Sequence, residues 1–358
     1  MAFPVTRRLE RPAALREQFL QAWNRSDEIF DIVKSHAILA KPIVWRHPFI
    51  FYVGHLPAFA WNQICGTVLG WKSFNPHFDE LFSRGIDPDV ETGECHAHPD
   101  VPQSWPGLRS VLDYRDRVRA AVLDSFDAVL ERGSRDVMAE KGRVFRLVLE
   151  HEYMHQETLL YMIQEAPHEI KNRLRYADQY QVAEEAMRTE VTVPGGDAAL
   201  GARFDALDFG WDNEFPELNL EVPEFKMDSL PVTNGRFLEF VECGGYKDSR
   251  WWLEEDWVWR AHAGLAAPNV WRRKQGQWFY RTVFELLPLQ EVLSWPVYVS
   301  LAEARSYARW RSARLPAEAE FHRAAYGAGA RWSADNVGFA RWSPSPVGLA
   351  DDDNGFGI

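Results

Sequence analysis

Residues 147–163 read LVLEHEYMHQETLLYMI, and the fold is decided on this stretch. His151 and His155 are four residues apart, so on a helix they lie one above the other on a single face. Leu147, Val148, Met154, Leu159, Met162 and Ile163 surround them at helical spacing, which points the pair toward the interior of a bundle. Burying two imidazoles is costly unless they are paired or ligate something. A shared divalent metal answers that cost better than two satisfied core histidines. The expected third ligand is His55, midway along the apolar segment 48–70, PFIFYVGHLPAFAWNQICGTVLG. Three imidazoles leave positions open on the ion, as in a catalytic rather than a closed structural site.

Two chemistries compete for such a site. Read literally, His151 to His155 spells H-E-x-x-H, the motif of a zinc-dependent hydrolase with Glu152 as general base. The usual G-x-x-H extension is absent. The other reading is a three-His iron centre that holds a substrate beside O₂. Imidazole ligands suit both metals. A second cluster, Cys95-His96-Ala97-His98, reads as a polar loop at a pocket mouth rather than as ligands.

Working outward, the first half is helical. Segments 12–34, 48–70, 108–132 and 135–166 carry helix patterns, the second bent near Pro57. Residues 71–107 read as one long loop, a length that usually signals function. Four long helices with a long crossover predict a four-helix bundle over 1–185. From Val191 the text turns to short strand-and-turn phrases punctuated by Gly, Asp, Asn and Pro, with short helices at 234–242 and 301–312. The class is therefore α+β, with a second domain over 191–358.

Composition narrows the function. The 358 residues carry a formal net charge of −12, which argues against nucleic acid as a partner. No apolar run spans a membrane and no signal peptide is legible, so a cytoplasmic protein is expected. Three scattered cysteines make no disulfide framework. The 16 Trp are unusual, and Trp251, Trp252, Trp257 and Trp259 serve either as fold core or as walls for a cationic ligand.

The phrases RHPFIFYVGHLPAF (46–59), FSRGIDPDVETGECHAH (82–98) and LEHEYMHQETLLYM (149–162) resemble the N-terminal half of the ergothioneine-type sulfoxide synthases, a DinB-like four-helix bundle. FGWDNEFP (209–216), PVTNGRFLEFVECGGY (231–246), WPVYVSLAEARSYARW (295–310) and RLPAEAEFHRAA (314–325) resemble the formylglycine-generating-enzyme domain, a C-type-lectin-like fold with little regular structure. The resemblance implies a mononuclear non-haem Fe(II) held by His55, His151 and His155. It also implies hercynine as acceptor, O₂ as oxidant and a sulfur or selenium donor. Glu152 becomes a helix residue rather than a base.

The departures bear on the donor. Bacterial relatives typically have Gln before the second metal His, where Met154 stands here. Their Arg-rich donor loop is replaced by an acidic one whose sole arginine is Arg84. An acidic loop repels a donor with several carboxylates, which leaves cysteine or a selenosugar and leans toward the selenoneine-synthase branch. Met154, Arg84 and Tyr52 are the expected substrate contacts. The family's catalytic Tyr is expected beyond Ile358, so the second domain reads as lacking its C-terminal part and no catalytic residue is assigned. Oligomeric state is not legible.

Overall fold

The computed structural model describes residues 12–83, 104–174, 180–326, 336 and 341–349. The chain divides into two compact units. The first runs to Arg173 and takes in Phe204–Asp212; the second holds Leu174–Arg203 and the chain from Asn213. The stretch 204–212 thus groups with the helices, although it falls inside the expected second domain.

Four long helical segments build the first unit: α1 (Pro12–Asp31), α2 (Phe49–Ala60), α4 (Leu108–Arg132) and α5 (Arg143–Glu165), with the short α3 (Pro76–Leu81) between. Pro12 opens α1, where its missing N–H is no loss. Helix α2 contacts α3, α4 and α5, while α1 contacts α5. Phe19, Phe126 and Phe145 meet at its centre, the last two stacked 3.9 Å apart.

Three local expectations are corrected. Segment 48–70 does not merely bend at Pro57; helix α2 carries Pro57 and passes at Trp61 into a π-helix, Trp61–Val68. Leu69 N–H there reaches back five residues to Ile64 O at 3.1 Å. Such wide turns are uncommon and often lie near functional sites. The expected loop 71–107 contains α3, whose first turn is capped by the Asn75 side chain accepting from Phe78 N–H. The fourth helix begins at Arg143, not 135, because Lys141 and Gly142 adopt positive φ (54° and 69°) and break the run.

Helix α3 is anchored from several sides through Asp79. Tyr114 Oη on α4 donates to Asp79 Oδ1 at 2.6 Å, Ser73 Oγ donates to Asp79 Oδ2, and Asn62 Nδ2 donates to the Asp79 carbonyl at 3.2 Å. This network fixes the end of α3 and the Phe82 carbonyl that follows it.

The second unit contains β1 (Glu190–Val193), β2 (Gly196–Leu200), β3 (Leu218–Val222) and β4 (Phe225–Asp228), then α6 (Asn234–Glu242), α7 (Glu254–His262), β5 (Trp271–Lys274), β6 (Gln277–Arg281), β7 (Leu286–Pro288), α8 (Leu301–Trp310) and α9 (Glu318–Ala325). Pairing is antiparallel throughout the described strands: β1 with β4, β2 with β3, and β5-β6-β7. Helices α7 and α9 were not expected from the sequence. With so little sheet, aromatic side chains hold the unit together: Phe237, Phe240, Tyr246, Trp252, Trp271, Tyr280, Trp295 and Tyr307 form one core. Its indoles are satisfied, with Trp252 Nε1 donating to Gly245 O, Trp295 Nε1 to Gln181 O and Trp271 Nε1 to Asn234 Oδ1. Trp252 is therefore core, and Trp257 is covered by Arg260, whose Cζ lies 4.1 Å from the ring centroid. Among the described residues, no helix is long and apolar enough to cross a membrane.

Candidate metal centre

Helix α2 supplies His55 and helix α5 supplies His151 and His155, and the ligand nitrogens of all three lie within 4.8 Å of one another. His55 and His151 are buried, and His155 is partly so. His55 Nε2 and His155 Nε2 are 3.1 Å apart. Two nitrogens each ~2.1 Å from one ion, at right angles about it, stand ~3.0 Å apart. The spacing therefore suits two ligands of a single ion.

The surroundings prepare these rings for a metal. His55 Nδ1 is 2.7 Å from Phe82 O. A carbonyl only accepts, so Nδ1 carries the proton and Nε2 turns its lone pair to the cluster. Phe51 stacks on His55 at 4.9 Å and Phe59 on His151 at 3.6 Å, which limits rotation of both rings. Burial lowers His55 to about 4, opposed by the Phe82 bond. Burial, with the neighbouring His55 and Arg46 charges, lowers His155 to about 3, and His151 is driven well below the usual histidine range by burial and its two histidine neighbours. All three imidazoles are thus neutral near pH 7, the form that ligates. Neutral nitrogen ligands with a protein carbonyl behind them fit a divalent transition metal.

Glu152 does not face this cluster as a metal-activated base. Its Oε1 accepts from Ser26 Oγ on α1, and Ser26 also receives Gln156 Nε2 at 3.0 Å. Burial raises the Glu152 carboxyl to about 7. Tyr153 is exposed and lines a cleft of about 350 Å³ with Arg146, Glu150, Asp208 and Phe209, and none of the three histidines lines it.

Of the expected substrate contacts, Tyr52 is 1% exposed and its ring lies 5.6 Å from that of His155. Met154 is exposed on α5 beside His155. Arg84 and the Cys95-His96-Ala97-His98 phrase lie outside the described residues. Sequence reasoning missed the Phe82 carbonyl behind His55, and also Arg46, whose charge acts on His155. The rings Phe51 and Phe59 could have been found, since each stands four residues from His55 on the same helix.

Known proteins carry the same pieces in the same order. Residues 18–159 match the DinB superfamily, and residues 176–352 match the sulfatase-modifying factor enzyme 1-like domain. Ergothioneine biosynthesis protein 1 of Neurospora crassa is 30% identical over 328 residues, covering 83% of this chain and 37% of that protein. Hercynine oxygenase of Mycolicibacterium thermoresistibile is 32% identical over 325 residues, covering 87% of this chain and 66% of its own. Hercynine oxygenase of Mycobacterium tuberculosis is 36% identical over 262 residues, covering 66% and 56%. The chain thus spans between 37% and 66% of the length of these curated relatives. With both domains matched in order and the alignments running across them, the chain belongs to the family that joins a DinB-type helical domain to a sulfatase-modifying-factor-type domain and that contains the hercynine oxygenases.

Proposed function

We propose that the protein is a mononuclear non-haem Fe(II)-dependent synthase that uses O₂ to join a sulfur or selenium donor to the imidazole carbon of hercynine. The observation that carries this reading is the convergence of His55, His151 and His155 inside a helical bundle. Relatives named for ergothioneine biosynthesis and hercynine oxygenation support the substrate. For a thiol donor the balance is R–SH plus imidazole C–H plus O₂ giving the C–S(=O)–R product and water, with one oxygen atom in each. Iron supplies a site where donor, acceptor and O₂ meet with the donor as its anion.

The chain's own residues do the rest. His55, its ring fixed by Phe82 O, and the His151–His155 pair would hold the ion, and three imidazoles would leave it positions for substrates. Phe51, Phe59 and Tyr52 wall the histidines with aromatic surface and exclude water on that side. Met154, exposed beside His155, and Arg84 are proposed substrate contacts. The domain border near 180–191 is likewise proposed, as is a cytoplasmic setting. Cysteine and a selenosugar are the proposed donors, with the selenoneine branch preferred because the donor loop carries so few basic residues.

The test is O₂ uptake by Fe(II)-loaded protein given hercynine with cysteine, γ-glutamylcysteine or a selenosugar, with products weighed by mass spectrometry. Uptake with a hercynine adduct of one donor is expected. No uptake and no adduct with any donor overturns the reading.

A further inference from the structure

Beside the histidine cluster, four buried polar atoms make no hydrogen bond of good geometry: Arg46 Nε, Tyr52 Oη, Tyr161 Oη and His155 Nδ1. The Tyr52 oxygen is approached only by donors, the Arg46 guanidinium and the His47 N–H, so its own proton has no acceptor. Buried polar groups are nearly always paired, so a cluster of orphans asks for an explanation. These four are near one another. Arg46 Cζ lies 5.4 Å from the Tyr161 ring centroid. The Tyr52 ring lies 5.6 Å from that of His155. Burial pushes the Tyr52 hydroxyl up to about 12, and the adjacent Arg46 guanidinium opposes the rise. The same guanidinium acts on His155.

Their chemistry is one-sided. The guanidinium N–H only donates, the two phenols have hydroxyl protons to give, and His155 Nδ1 carries its proton when Nε2 turns to the metal. No carboxylate pairs with Arg46 among the described residues. What is missing is an acceptor with several lone pairs and one negative charge. A carboxylate has two oxygens and about four lone-pair sites, and it matches a single cation in charge. A metal-ligating histidine also commonly gives its outer N–H to a carboxylate.

We propose that Arg46, Tyr52 and Tyr161, with His155 Nδ1, form a subsite for the carboxylate of an amino-acid-type substrate bound at the metal centre. The proposal rests on the metal centre and deepens the function proposed above. Hercynine and cysteine both carry such a carboxylate, whereas a selenosugar does not. The subsite therefore orients an amino-acid-type ligand by its carboxylate while its imidazole or thiol reaches the ion.

Anaerobic calorimetry on the Fe(II)-loaded full chain tests this with matched ligand pairs. The pairs are hercynine against its decarboxylated counterpart trimethylhistamine, cysteine against cysteamine, and imidazole-4-propionate against 4-propylimidazole. The carboxylate-bearing member is expected to bind at least ~10-fold tighter in one or more pairs, consistent with a charge-assisted bond. Arg46→Met is expected to erase that advantage while leaving the decarboxylated member within about twofold, and Arg46→Lys to restore part of it. Tyr161→Phe is expected to reduce it by a few fold. Which of the first two pairs shows the advantage identifies the source of the carboxylate. An advantage that survives Arg46→Met, or none in any pair, overturns the proposal. An advantage with imidazole-4-propionate alone, and no binding of hercynine, keeps the subsite and refutes hercynine as substrate.

Discussion

His155 meets two demands at once, since it lies 3.1 Å from His55 Nε2 yet remains partly open to solvent. Replacing it by Ala removes one of three ligands without opening the core. Iron binding is expected to weaken by at least ~100-fold, in line with loss of a first-sphere ligand. The far-ultraviolet dichroism of the metal-free variant should match wild type. Glu152 gives the opposite expectation. A glutamine there still accepts from Ser26 Oγ, so Glu152→Gln should keep one metal per chain and change stability by less than ~1 kcal/mol. If that variant lost the metal-dependent reaction outright while keeping the metal, a hydrolase-type base would be back in play. Both ligands on α5 were legible, because an i, i+4 pair in an apolar register leaves few other readings. The carbonyl behind His55 was not, because it comes from Phe82, 27 residues away and past a turn with no side-chain signature.

At the scale of elements, the approach of α2 to α3 is what aims His55. Gly54 lies against the Phe82 ring, and a methyl group added there would meet ring atoms at 2.5 to 2.6 Å. Gly54→Ala must therefore push Phe82 away, together with the carbonyl that holds His55 Nδ1. Overpacking of this kind costs about 1–3 kcal/mol, so a lower melting temperature and weaker metal binding should appear together. Metal affinity that stays unchanged while stability falls would show that Phe82 does not orient His55. Helix α4 was legible to the residue, Leu108–Arg132, because its apolar face is regular. Helix α3 was hidden, because six residues carry too little periodicity to stand out from a Pro-rich stretch. The late start of α5 was hidden as well, since only the left-handed backbone at Lys141 and Gly142 marks it.

At the scale of the whole chain, the two units are stabilised by different means. The first buries regular helix faces, and the second relies on an aromatic core and on local ionic caps. One such cap is Glu320, which accepts from Arg314 Nη1 and Nη2 at 2.6 Å and from Ala317 N–H at 2.8 Å. The Arg314 bond holds the Glu320 carboxyl down at about 2. A carboxyl lowered in the folded state stabilises above its unfolded value and loses that contribution as pH falls through the folded one. Melting of the second unit should accordingly drop by a few degrees between about pH 4.5 and pH 2, and Glu320→Gln should flatten that part of the profile. A profile with the same slope in the variant would show that the pair contributes nothing. The two-domain order was legible from quoted phrases, but the grouping of Phe204–Asp212 with the helices was not. That grouping depends on contacts such as Arg146 to Asp208 at 3.4 Å and Arg143 over the Phe204 ring at 4.4 Å, which no local pattern encodes.

The central claim is that His55, His151 and His155 together hold a single iron. X-ray absorption at the iron edge of the Fe(II)-loaded protein tests it most directly. The account predicts one iron per chain with a first shell containing three imidazole nitrogens at ~2.1 Å, reduced to two in His155→Ala. A first shell with no imidazole scattering, or one unchanged by that substitution, would contradict it.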